Sequence, residues 1–317
     1  MARRPTAAPA LCSMSTLRAN AAVLLRLGVV ICLFAIFTWR SGVGGGSSSG
    51  GGGGGGGGAT RGSRYLPDAA YAPFLRGEAP LTWGLNCVAW QASADGDEAR
   101  ALAAAYETWR VAAEREMAGT GAFIYPWAAL HVTASTPAPF SSEGARAAWA
   151  PADREAFVAA WAAALRRARG DARWPAAPFH LIFSAPKFSN GAGIFAVADP
   201  TGAVAAARAA LAAAAAAAPE LAALPPALRA TSGEKTPSIV HATVMRLARP
   251  RDAGVTDDEI EARWARAAAA WSGAIPVMAR AARFVVGNEL AVFAGGAEAG
   301  AEKAFAADVP FAPAAAA

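Results

Sequence analysis

Ala129-Leu130-His131-Val132-Thr133-Ala134-Ser135 and Ile239-Val240-His241-Ala242-Thr243-Val244-Met245 are two apolar stretches, 110 residues apart, and each carries a His-x-Thr triplet. Side chains alternate between the faces of a strand, so His131 and Thr133 share one face while Leu130, Val132 and Ala134 share the other. His241 and Thr243 oppose Val240, Ala242 and Val244 in the same way. An apolar back with a small polar front is the pattern of a strand that floors a cleft. The chain has three histidines and two stand in these triplets, which marks the two strands as the place to look for chemistry.

Working outward, the chain divides into unlike parts. Of its 29 Lys and Arg residues, five (Arg3, Arg4, Arg18, Arg26 and Arg40) precede Ala59, whereas all 24 Asp and Glu follow it, so the remainder is neutral. A long polyanion draws its affinity from neutralised phosphates and needs a basic face, so no long nucleic acid is expected as partner. A small nucleotide or a short RNA end remains compatible. Cys12 and Cys32 lie in the N-terminal segment and Cys87 stands alone in the rest, which leaves no internal disulfide there.

Residues 1–41 read as a signal anchor or a signal or transit segment. The 13 uncharged residues 27–39 are short for a span, and extension back to Ala21 gives 19 with Arg26 near one end. The expectation is a single-pass membrane protein anchored through residues 21–39, N-terminus cytoplasmic and domain lumenal. A cleaved secretory signal and organelle targeting are the alternatives. Residues 42–63 are a Gly/Ser-rich linker that includes nine consecutive glycines, a flexible tether. Residues 64–298 form the domain, and 299–317 read as an Ala-rich tail.

Within the domain, the spacing predicts a buried strand over Trp83–Gln91. A helix follows Asp95-Gly96-Asp97, with Leu102, Tyr106, Trp109, Ala113 and Met117 on one face. Pro151 opens a helix with Phe157, Trp161 and Leu165 inward. Residues 179–185 and 193–198, joined through Asn190-Gly191, read as a hairpin, and a helix from about Gly202 to Ala217 leads to the second triplet. Thr256-Asp257-Asp258-Glu259 is a capping box for a helix burying Ile260, Trp264, Ala267 and Trp271. Residues 282–286 and 289–293 flank Gly287-Asn288 as a second hairpin. Triplet, helix and hairpin thus recur at His131, Asp153 and Phe179 and again at His241, Thr256 and Ala282, at offsets of 110, 103 and 103 residues. This order implies an internal duplication. The expected fold is α+β: two similar lobes, each a mostly antiparallel sheet with helices on its outer face, and a central groove between them.

Two histidines on one cleft can divide acid–base work, because an imidazole with pKa about 6.5 holds either protonation state near neutrality. A neutral imidazole takes a proton from the attacking oxygen and an imidazolium protonates the leaving oxygen. A threonine two residues along donates to non-bridging phosphate oxygens. No metal or other cofactor is needed for this chemistry. Which histidine is the base stays open.

Paired His-x-Thr triplets on equivalent strands of a duplicated α+β fold resemble the 2H phosphoesterases, the group that contains the bacterial LigT-type RNA 2′,3′-cyclic phosphodiesterases. The resemblance covers roughly residues 65–295. It implies His131, Thr133, His241 and Thr243 as the active-site residues. It also implies a 2′,3′-cyclic phosphate or a 2′–5′ phosphodiester of a nucleotide or RNA end as substrate. Separately, a monomer is expected.

Other residues carry weaker expectations. Trp127 has the strand parity of His131 and is a candidate to stack a base, although Pro126 interrupts the strand. His180 reads as a structural histidine with its hydrogen bonds satisfied. Arg246 falls on the back face by parity and is expected to pair with an acid. Two rival functions remain: a membrane-anchored glycosyltransferase holding a metal and sugar-nucleotide through Asp95-Gly96-Asp97, and a non-catalytic nucleotide-binding domain.

Overall fold

The computed structural model describes residues 64–68, 83–93, 96–139, 149–232, 234–271, 275–288 and 304–311. Residues 21–39 and the linker 42–63 lie outside the described residues. No helix among the described residues is long and apolar enough to cross a membrane. The structure thus offers no support for the expected membrane-spanning helix, whose proposed residues are not among those described.

In chain order the elements are β1 (Trp83–Gln91), α1 (Asp97–Glu116), β2 (Ala122–Ile124), a 3-10 turn (Trp127–Ala129), β3 (His131–Ala138), α2 (Pro151–Ala168), β4 (Phe179–Ser189) and β5 (Ala192–Ala198). Then come α3 (Ala203–Ala216), α4 (Pro219–Ala222), α5 (Pro226–Thr231), β6 (His241–Leu247), α6 (Asp257–Ala269), β7 (Ile275–Ala279), β8 (Ala281–Asn288) and β9 (Ala304–Pro310). The fold is α+β with two antiparallel sheets, one ordered β3-β1-β8-β9 and the other β2-β6-β5-β4-β7.

Each sheet mixes strands from the early and late parts of the chain, so the two layers are not the two halves of the sequence. The crossings have local causes. Pro126 cannot donate to a ladder, so β2 ends at Ile124 and the 3-10 turn redirects the chain into β3 of the other sheet. Near the C-terminus β7 and β8 are separated by Arg280 alone and again belong to different sheets.

The helices follow their apolar stripes. Tyr106, Trp109 and Ala113 of α1 are buried, and Trp109 packs between Phe195 of β5 and Trp264 of α6, its indole N–H donating to the Ala267 carbonyl at 2.9 Å. Thus α1 and α6 cover the five-stranded sheet. Phe157 and Trp161 of α2 pack on Trp83 and Phe284, which places α2 against the four-stranded sheet. Each buried aromatic removes about 150–250 Å² from water, so these rings dominate the core.

Several local expectations meet a different outcome. Thr256 caps α6 by accepting from the Glu259 N–H at 3.1 Å, but the Glu259 carboxylate binds Arg263, so only half of the capping box forms. The expected hairpin at Gly287-Asn288 does not form. β8 runs straight through both residues, with Gly287 opposite Gly84 and Asn288 opposite Trp83. The expected tail contains β9, an edge strand on β8, followed by the fully buried Phe311. Alanine-rich sequence is a poor strand former, and pairing with β8 overrides that preference.

The hairpin of β4 and β5 does form, with Asn190 at φ 49° and Gly191 at φ 77°, the left-handed pair that a two-residue hairpin turn requires. Two residues on, Gly193 lies where a Cβ would come within 2.4 Å of the Trp264 ring and 3.0 Å of the Met245 Cβ. Trp264 is fully buried, so it has little room to yield. Gly193→Ala should therefore cost about 1–3 kcal/mol through overpacking, measured as a lower urea midpoint at unchanged m-value. An unchanged midpoint would show that the contact is slack.

Candidate functional site

The two triplets sit in matching local structures. In β3 the residue after the threonine is an extra one: Thr133 lies opposite Val88 and Ser135 opposite Cys87, so Ala134 has no partner. In β6 Thr243 lies opposite Ile194 and Met245 opposite Gly193, so Val244 has none. Such a bulge breaks the alternation of faces. Both strands accordingly bury two successive residues, Ala134 with Ser135 and Val244 with Met245. His131, Thr133 and Thr136 are half-buried on β3, and His241, Thr243 and Arg246 are half-buried on β6. Arg246 therefore returns to the face of the triplet, contrary to parity, because one residue is inserted between it and Thr243. Its expected pairing with an acid is present: Asp68 lies 3.7 Å away.

The sheets bring these strands together. β2 is short and covers only Met245–Leu247 of β6, and the Tyr125 N–H takes the Val244 carbonyl. Beyond that point β3 approaches β6, with Cα atoms of the two strands within 8 Å of each other. Thr136 of β3 exchanges both backbone hydrogen bonds with Lys235, at 2.8 and 2.9 Å, on the run leading into β6. Arg208 of α3 completes the junction. Its Nη2 donates to the Thr133 carbonyl at 2.8 Å and to the Ile239 carbonyl at 3.1 Å.

The four expected residues differ in their surroundings. His131 Nδ1 is 2.9 Å from the Ala129 carbonyl. A carbonyl oxygen can only accept, so Nδ1 carries the proton. The corresponding Nδ1 of His241 is buried and makes no hydrogen bond of good geometry. Burial pulls the His241 imidazole below its ordinary 6.5. The Ile239 carbonyl opposes this, and the charges of Arg246 and Arg208 add to the lowering. Thr133 Oγ1 accepts from Asn86 Nδ2 at 3.3 Å, and Asn86 Oδ1 accepts from Thr136 Oγ1 at 3.2 Å. The Thr133 hydroxyl proton is thereby left to donate elsewhere.

Asn86 and Arg208 are the two site-supporting residues that sequence reasoning passed over. Asn86 is 4% exposed inside the apolar run of β1, and Arg208 is the one charged residue of α3. A lone polar residue where the pattern calls for apolar ones was the available signal in both cases.

Other candidates fall elsewhere. Trp127 lies in the 3-10 turn, so strand parity does not extend to it. It is a core residue, packed on Trp90 and Tyr106, with its indole N–H donating to the Ser93 carbonyl at 2.8 Å. His180 is exposed on β4. Asp95 lies outside the described residues. Asp97 occupies the first turn of α1, does not cap it, and pairs with Arg100 with its side chain 99% exposed. Among the described residues no three His, Cys, Asp or Glu side chains converge as a metal-ligand set. Cys87 is fully buried, which pushes its thiol up and removes it as a nucleophile.

No family model and no curated protein matches this chain. The depressed value of His241 makes a stability prediction. The unfolded chain binds this proton before the folded one does, so stability should be complete above about pH 6.5 and be lost as pH falls through the folded value. Urea titrations on either side of that pH should show the loss in the wild type and a flatter dependence in His241→Gln. Identical slopes would show that His241 is not held neutral by its site.

Proposed function

We propose that the protein is a phosphodiesterase that opens 2′,3′-cyclic phosphates, or cleaves 2′–5′ phosphodiesters, of a nucleotide or short RNA end by two-histidine acid–base catalysis. The observation that carries this reading is the placement of both His-x-Thr triplets on half-buried faces of adjacent strands, each followed by a bulge at the equivalent residue. The same repetition supports reading the two strands as products of an internal duplication.

The surroundings favour a division of roles. His241, depressed by burial and by two neighbouring cations, is neutral near pH 7 and suits the general base. His131, with Nδ1–H held by the Ala129 carbonyl, suits the general acid. Water attacks phosphorus as His241 Nε2 takes its proton. The bond from phosphorus to the 2′ or 3′ oxygen breaks, and that oxygen receives the proton from His131 Nε2, leaving a phosphate monoester. Thr133 and Thr243 donate to the non-bridging oxygens, where charge builds. Arg246, half-exposed on the same face, adds positive potential.

The test is turnover of 2′,3′-cyclic nucleotides and 2′–5′-linked dinucleotides by the full chain in EDTA. kcat/KM should be bell-shaped in pH, and chelation should leave it unchanged. His131→Ala or His241→Ala should each lower it by about 10²–10⁴-fold. Thr133→Val or Thr243→Val should cost less, near the lower end of what one oxyanion donor supplies, about 10²-fold. EDTA inhibition, a flat pH profile or a fully active His241→Ala protein would refute the reading.

A further inference from the structure

Arg208 is an unusual residue for its setting. It is the single charged side chain in a 14-residue helix of alanine, valine and leucine, half-buried against β3, and its hydrogen bonds go to backbone carbonyls rather than to a carboxylate. Its Nε is buried without a partner, and Asp199, the acid that acts on it, is occupied in capping α3 through the N–H groups of Ala203 and Val204 at 3.1 and 2.7 Å. Burial accordingly lowers the Arg208 pKa. A buried charge without close compensation is costly, so its location needs a reason.

The two carbonyls it holds supply one. Thr133 belongs to the first triplet, and Ile239 stands two residues before His241, as Ala129 stands two before His131. In the first strand that carbonyl is available to the His131 Nδ1. In the second it is engaged by Arg208, and His241 Nδ1 lacks a hydrogen bond of good geometry. We propose that Arg208 is a positioning residue of this site, which fixes the separation of the two motif strands and makes their histidines unequal by keeping His241 as the proton acceptor. The inference rests on the phosphodiesterase reading and assigns the division of labour within it. The charged groups around His241 are Arg208 from α3, with Asp199 acting on it, and Arg246 from β6, with Asp68 beside it.

The experiment uses the full chain with Arg208→Gln and Arg208→Lys, read in two ways. Three histidines make the imidazole titrations separable by NMR. In Arg208→Gln the His241 midpoint should rise and the acid limb of kcat/KM should rise with it. Arg208→Lys keeps the charge and should leave the His241 midpoint near that of the wild type. In both variants kcat should fall with KM little changed. The fall should be about 10–100-fold in Arg208→Gln, the scale of a 1 Å misplacement, and smaller in Arg208→Lys. A folded Arg208→Gln protein with an unmoved His241 midpoint, or an Arg208→Lys protein with wild-type kcat, would overturn the proposal. If the wild type turns over no cyclic phosphate, the functional reading fails, and the NMR midpoints still decide whether Arg208 governs His241.

Discussion

A single guanidinium nitrogen, Nη2 of Arg208, joins β3 of one sheet to the run that leads into β6 of the other. Two imidazoles can serve one phosphate only if the strands carrying them keep a fixed separation, and reacting groups tolerate little error. Neither sheet supplies that separation alone, because β3 is an edge strand of one and β6 an inner strand of the other. The junction is made by backbone: the Thr136–Lys235 pair, the Tyr125–Val244 bond, and the two carbonyls gathered by Arg208. Pro126 is equally part of it, since ending β2 early leaves the His241 end of β6 open for β3 to approach.

The paired bulges decide what the junction presents. Without them, residues five beyond each histidine would face the core, and a buried Arg246 would carry a severe desolvation cost. With them, the site face gains Thr136 on one strand and Arg246 on the other. The two sides are similar in backbone but not in electrostatics. Asn86 orients Thr133, whereas Thr243 has no such partner among the described residues, and the charges of Arg246 and Arg208 act on His241 of the second triplet. A near-symmetric frame with unequal chemistry is what acid and base roles require.

The periodic elements were legible in the sequence because burial drives them. The strand Trp83–Gln91, the Tyr106–Met117 face of α1 and the Phe157–Leu165 stripe of α2 all emerge as read. The faces of the two triplets were legible for the same reason. What escaped depends on pairing between distant segments. The bulge that turns Arg246 outward appears only in the pairing of β6 with Gly193 and Ile194, far along the chain, and β9 is a strand only because β8 offers it an edge. Arg208 escaped because its partners are backbone groups, which leave no mark in side-chain patterns, and Asn86 because its partners, the hydroxyls of Thr133 and Thr136, lie far along the chain. The alanine richness of α3 distracted from its one charge.

The central claim is that the two triplets form one site acting on one transition state. Comparing His131→Ala, His241→Ala and the double variant in the full chain, through kcat/KM on a 2′,3′-cyclic nucleotide, tests it most directly. One shared transition state predicts a double variant about as slow as the slower single variant, because removing either proton transfer disables the same step. Losses that multiply, or one single variant that retains the wild-type rate, would show that the histidines do not work together.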